Sequence, residues 1–157
     1  MYVFDTNILI TIFKYYYIST FPSFWEYFNE YIGNGKIISV RDVLKEINAY
    51  HNSNSNLVIW ANQHKNIFYQ PNESEMIFVG DIFSFKHFQN NIPKESQLVG
   101  RPVADPFVIA KAKVNDGCVV TNEEYKKNSA KMPNICNYFK VNCINLNKFM
   151  ELENWKF

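Results

Sequence analysis

Short apolar runs alternate with longer mixed segments along the chain, and the two periods separate strands from helices. Tyr2-Val3-Phe4 is an apolar triplet ending in Asp5-Thr6-Asn7, which predicts a buried strand followed by a turn. Residues 8–16 are apolar without Gly or Pro and predict a helix. A second helix is predicted over 21–31, with Pro22 in its first turn and Gly33 past its end. Residues 36–39 form a short apolar run, a second strand. Ser39 and Asp42 then read as a capping box for a helix over 40–50. A polar loop at 51–56 precedes a short helix at 57–63, an extended stretch at 66–71 and a helix at 73–88, broken at 89–93. The loop at 99–104 leads into Asp105-Pro106, which reads as N-cap and first residue of a helix continuing over 107–115. Strands are predicted at 118–121 and 141–144, and helices at 129–139 and from Asn147 onward.

Strands alternating with helices predict a parallel-sheet α/β domain. The expected organisation is one domain over 1–157, with a helical insert at about 51–100. Composition supports a packed core: 47% of residues are hydrophobic and 17% aromatic, which excludes a disordered chain. A net charge of +1 argues against a strongly basic nucleic-acid module. Three cysteines without a CxxC pair give no support for a zinc knuckle or a thioredoxin-like motif, and an odd count fits a reducing compartment. Asp5 interrupts the first apolar run, no basic segment precedes it, and no apolar stretch approaches the ~18–20 residues of a membrane span. The expectation is a soluble, cytoplasmic protein with no membrane partner.

With only 15 acids, 5 of them Asp, the position of each acid carries information. Asp5 follows the first strand, and Glu123 lies two residues past Thr121 at the end of the CVVT strand. Ligands of open α/β sheets bind outside the carboxyl ends of the strands, so both acids can enter one crevice. Asp105 joins them if its helix starts at that rim. Glu46 lies about 60° from Val43 around its helix and borders the apolar stripe of Val43 and Ile47. Acids gathered in one crevice raise one another's pKa unless a cation neutralises them. Oxygen ligands suit Mg²⁺ or Mn²⁺, and such a centre suits phosphodiester hydrolysis. Taken singly, each acid has a plainer role: an Asx turn for Asp5, a helix cap for Asp105, a solvated helix acid for Glu46, a surface acid for Glu123. Only the four together point to a single site.

The segments FDTNILI, ISVRDVLKEI, ADPFVIAKA and VVTNEE, in that order and spacing, resemble the PIN-domain family, and among it the VapC-like ribonuclease toxins of toxin–antitoxin systems. The later NICNYFKVNCINL stretch is similar to the closing helix and strand of some PIN branches. The resemblance spans nearly the whole chain. It implies a three-layer α/β/α fold around a mainly parallel sheet of four to five strands. It implies a divalent-metal-dependent endoribonuclease, with RNA as substrate, one or two Mg²⁺ or Mn²⁺ ions and a cognate antitoxin as partner. The family's acids fall on Asp5, Glu46 and Asp105, and its fourth acid, usually Asp, on Glu123, with Glu124 able to substitute if the turn is shifted. Thr6, Asn7 and Thr121 match supporting polar positions.

Ten aromatic residues lie between Phe13 and Tyr31. Part of this run must be core. Tyr15, Tyr16 and Tyr17 point around a helix in different directions, so a partner surface for an antitoxin or a second copy is expected as well. Arg101 is the candidate phosphate contact, and most of the lysines read as a solvated face. His51, His64 and His87 show no ligand spacing. The alternatives are a non-toxin RNA-processing PIN nuclease and a catalytically weak PIN-fold module binding RNA or protein. A phosphatase-like enzyme lacks its nucleophile motif here.

Overall fold

The computed structural model describes residues 1–91 and 103–157. Five strands carry the sheet: β1 (Tyr2–Phe4), β2 (Ile37–Val40), β3 (Phe68–Tyr69), β4 (Cys118–Val120) and β5 (Asn142–Ile144). Among the described residues the helices are α1 (Thr6–Tyr15), α2 (Pro22–Gly33), α3 (Arg41–Tyr50), α4 (Asn56–Gln63), α5 (Glu73–Ser84), α6 (Asp105–Val114), α7 (Met132–Phe139) and α8 (Leu146–Leu152). Short 3₁₀ turns lie at Lys65–Ile67 and Phe88–Asn91.

The strands are all parallel, in the order β3-β2-β1-β4-β5. Tyr2 pairs with Ile37 on one side and Cys118 on the other, so the first strand of the chain is the centre of the sheet. Gly117 permits this close start: a Cβ there would lie 3.1 Å from the Met1 carbonyl oxygen. The chain builds outward from β1 to β3, then crosses back to build β4 and β5. That reversal opens a crevice at the carboxyl ends of β1 and β4, the usual ligand position in such sheets.

Helices cover both faces, giving a three-layer α/β/α domain. On one face the Phe4 ring meets Phe28 of α2 at 6.2 Å and Phe149 of α8 at 5.2 Å. On the other, α6 lies along β1, β2 and β4 and packs against α5 and α7. Phe4, Phe24, Phe28 and Phe149 are fully buried. Truncating one such ring costs about 3–5 kcal/mol. The aromatic run of α1 and α2 is thus largely core: Tyr16 stacks on Phe24 at 4.5 Å and Phe13 meets Trp25 at 5.0 Å. Tyr15, Tyr17 and Ile18 are left exposed.

At the amino ends of the strands, Glu153 accepts from the Tyr2 hydroxyl at 2.5 Å and the Tyr31 hydroxyl at 2.7 Å, with Lys36 at 3.7 Å. This cluster ties the segment after α8 to the central strand and to α2.

Several local expectations change. Ser39 does not cap α3; its hydroxyl donates to the Phe4 carbonyl at 2.8 Å, and β2 continues to Val40, which caps without a side-chain bond. Local sequence cannot separate a cap from a cross-strand tie, because both use a short hydroxyl. Within the extended stretch expected at 66–71, Phe68 and Tyr69 pair with Ser39 and Val40 as the edge strand β3. α5 stops at Ser84, short of residue 88. Asp105 is the first residue of α6 and Pro106 the second, with Ala104 as cap.

Candidate active site

Asp5 is the first residue beyond β1. Its amide donates to the Val120 carbonyl at 3.1 Å, which holds the residue against the end of β4. One carboxylate oxygen accepts from the Thr6 amide at 2.6 Å and so caps α1. The other accepts from the Thr121 hydroxyl at 3.0 Å. The plain role of Asp5 as a helix cap is therefore real, and the side chain is also 3% exposed. Thr121 is buried beside it and takes a second bond from the Asn7 amide at 3.0 Å. Asn7 in turn accepts from the Asn122 backbone amide at 2.9 Å, so the turns after β1 and β4 are laced together.

Glu46 lies on α3. One of its oxygens accepts from the Thr6 hydroxyl and the other from the Ala104 amide at 2.8 Å. It thereby joins the start of α1 to the start of α6, and Ala104 is immediately followed by Asp105. The α3 stripe predicted from Val43 and Ile47 explains the position: both are fully buried, and Glu46 sits half-buried at their border.

Electrostatics separates these acids from ordinary surface acids. Burial pushes the Asp5 carboxyl well above the usual carboxylate range, and the Asp105 charge pushes it further. The Thr121 hydroxyl and Thr6 amide oppose the shift, and Glu46 adds a smaller push upward. Burial also raises Glu46, against the bonds from Thr6 and Ala104, with a further push from Asp42 one turn earlier. Asp42 is itself buried; one oxygen takes the Lys45 ammonium at 2.8 Å, and the other has no hydrogen-bond partner among the described residues.

Asp5, Glu46 and Asp105 are thus brought to one crevice, with Thr6, Asn7 and Thr121 as their scaffold. Glu123 is held differently. Its carboxylate accepts from the Met132 amide at 2.8 Å, at the amino end of α7. Glu124 is exposed. Arg101 lies outside the described residues. Sequence reading missed Ser39, Asn122 and the Ala104 amide. Ser39 and Asn122 are polar residues flanking strand ends, a weak signal; a backbone donor leaves none.

Among the described residues, no three His, Cys, Asp or Glu side chains lie close enough to hold a metal ion by themselves. Mg²⁺ is commonly held by one or two carboxylates, with water and substrate phosphate completing the shell. A donor set made only of carboxylate oxygens, at least one of them destabilised by a neighbouring acid, fits that mode. It does not fit the nitrogen and sulfur preference of zinc.

Fold and site together define a three-layer parallel α/β domain with an acidic crevice at its switch point. Over residues 2–157 the chain matches, and belongs to, the family DUF4411, described as a domain of unknown function. No curated protein matches it. Among the described residues no helix is long and apolar enough to cross a membrane.

Proposed function

We propose that this domain is a divalent-metal-dependent endoribonuclease of PIN type. One observation carries the reading. At the sheet's switch point, a buried Asp5 carboxylate is opposed by the charge of Asp105, while Glu46 is anchored beside them by Thr6 and Ala104. Buried acids set beside one another, with shifted pKa values, are a recurrent feature of catalytic sites.

Asp5 and Asp105 are the residues that would hold Mg²⁺ or Mn²⁺, which when bound supplies Lewis-acid activation for phosphodiester hydrolysis. Thr121 and Thr6 fix both Asp5 oxygens, so its carboxylate is oriented in advance. Glu46, with its raised pKa and both oxygens anchored, is suited to accept a proton from attacking water. Glu123 serves the site by fixing the turn that carries Thr121.

The test is cleavage of a mixed RNA pool with Mn²⁺ and with EDTA, by the wild type and by Asp105→Asn. Metal-dependent products that disappear in the variant support the reading. Equal cleavage by both proteins, or none in Mn²⁺, defeats it. The toxin role rests on the sequence resemblance alone. Its test is growth arrest on expression that a small neighbouring gene relieves.

A further inference from the structure

After Glu123 the chain runs over the amino end of α7, where Asn134 clamps it. The Asn134 amide nitrogen donates to the Lys126 carbonyl at 2.8 Å, and its oxygen accepts from the Lys126 amide at 3.3 Å. The clamp sets Tyr125 and Asn128 on one side of a cleft of about 310 Å³. Asn137 and Tyr138 of α7 line it as well, together with Phe85 and Phe88 from the turn after α5. This volume falls within the range of about 300–1,000 Å³ typical of small-ligand sites.

The lining has a distinct chemistry. The Tyr138 ring packs on Phe85 at 4.8 Å and on Phe88 at 5.3 Å, yet the residue stays 53% exposed. Tyr125 is 60% exposed and touches no other ring among the described residues. Asn128 and Asn137 are exposed, and their side-chain amides make no hydrogen bond among the described residues. One ring held rigid, one ring free, and amides offering both donors and acceptors suit an unpaired nucleobase, which stacks by its face and is read by its edge. The stretch from Tyr125 to Lys131 holds three lysines, all exposed, and no acid, so it offers cations to a phosphate backbone. The same loop begins at Thr121, which bonds Asp5.

We infer that this cleft, on the loop that leaves Thr121, receives one unpaired base of a single-stranded RNA. The inference deepens the ribonuclease reading and rests on it for the nature of the strand. A protein segment, the other class of occupant, is disfavoured by the combination of free amides and a lysine run.

The experiment measures fluorescence anisotropy of a fluorescein-labelled single-stranded RNA of mixed sequence in EDTA, with a duplex RNA and a single-stranded DNA as further arms. Tighter binding of single strand than duplex is expected, weakened about tenfold by Tyr125→Ala and by Tyr138→Ala, as for loss of one stacked base. Tyr125→Phe restores binding, and Tyr17→Ala, exposed and outside the cleft lining, leaves it unchanged. Tyr138 packs on three rings, Phe85, Phe88 and Phe139, so melting is followed in parallel; Tyr125 has no ring contact among the described residues, and its variant keeps the test valid if Tyr138→Ala unfolds. Unchanged binding in Tyr125→Ala, or no RNA bound by the wild type, overturns the inference. The two readings fail separately. Loss of RNA binding in Tyr125→Ala, with cleavage unaffected by Asp105→Asn, keeps the pocket and removes the metal-site nuclease. The opposite pattern removes the pocket and keeps the nuclease.

Discussion

The two ends of the sheet treat a carboxylate in opposite ways. At the amino ends, Glu153 receives hydrogen bonds from Tyr2 and Tyr31 and faces Lys36, and these partners hold it below the usual carboxylate range. At the carboxyl ends, Asp5 is buried and faces Asp105, and it is driven above that range. Both acids are well supplied with donors, so hydrogen bonding alone does not distinguish them. Burial does first, since Asp5 is buried while Glu153 lies nearer the surface, and the charge beside each acid adds to the difference. A carboxylate near the surface, matched by hydroxyls and a cation, closes a structure, whereas a buried one set beside another acid is the kind of group found at functional sites.

Four experiments press on that contrast. The largest effect is on catalysis. Asp5→Asn is expected to lower metal-dependent RNA cleavage by about 10²–10⁴-fold, while Glu153→Gln leaves the rate per folded molecule unchanged. Equal losses in the two variants would erase the distinction. Next comes metal-linked stability. Mn²⁺ at a hundredfold excess over its Kd should stabilise the wild type by about 2.7 kcal/mol, read as a rise in melting temperature that Asp5→Asn abolishes. In EDTA the same variant should melt above the wild type, because it removes a buried charge. Glu153→Gln should instead lose about 1 kcal/mol, since it weakens two hydrogen bonds near the surface.

The pH dependence has opposite signs at the two ends. Asp5 has a raised folded pKa, so its contribution is fully present below its ordinary value of 3.8 and is lost as pH rises through the folded value. The margin of Asp5→Asn over the metal-free wild type should therefore grow with pH. Glu153 has a lowered folded pKa, so its contribution is present above 4.5 and is lost as pH falls through the folded value. The deficit of Glu153→Gln should vanish in acid. The smallest effect belongs to Glu123→Gln. Its amide oxygen can still accept from the Met132 amide, so cleavage should change less than about threefold, far below the range for a direct proton-transfer role. A loss of a hundredfold would return Glu123 to the centre of the site.

How much could be read from sequence follows from the range of each signal. The Tyr2–Phe4 triplet, the CVV strand and the helix opening at Asp105 are local patterns, and they reappear in place. The all-parallel sheet followed from alternation of elements, and five strands stand at the upper end of the four to five expected. The extended stretch read at 66–71 contains the two-residue strand β3, whose pairing with Ser39 and Val40 no local period could show. Ser39 and Asp42 fit a capping box by spacing, yet Ser39 bonds across to Phe4, a partner 35 residues away. The acids were legible as types at strand ends. Their directions were not. Whether Glu123 faces Asp5 or the start of α7 depends on how the turn after Thr121 folds, and that turn is fixed by distant Asn7 and by Asn134.

The position of β1 has a consequence for synthesis. The central strand is made first, but the hydrogen bond that orients Asp5 spans 116 residues to Thr121. On the ribosome, where domains form as the chain emerges at about 5–20 residues per second, the first three strands can be complete while the crevice still lacks one wall. Whatever chemistry the acids perform, it stays silent in every nascent fragment that ends before β4. The site is thus assembled only when β4 joins β1.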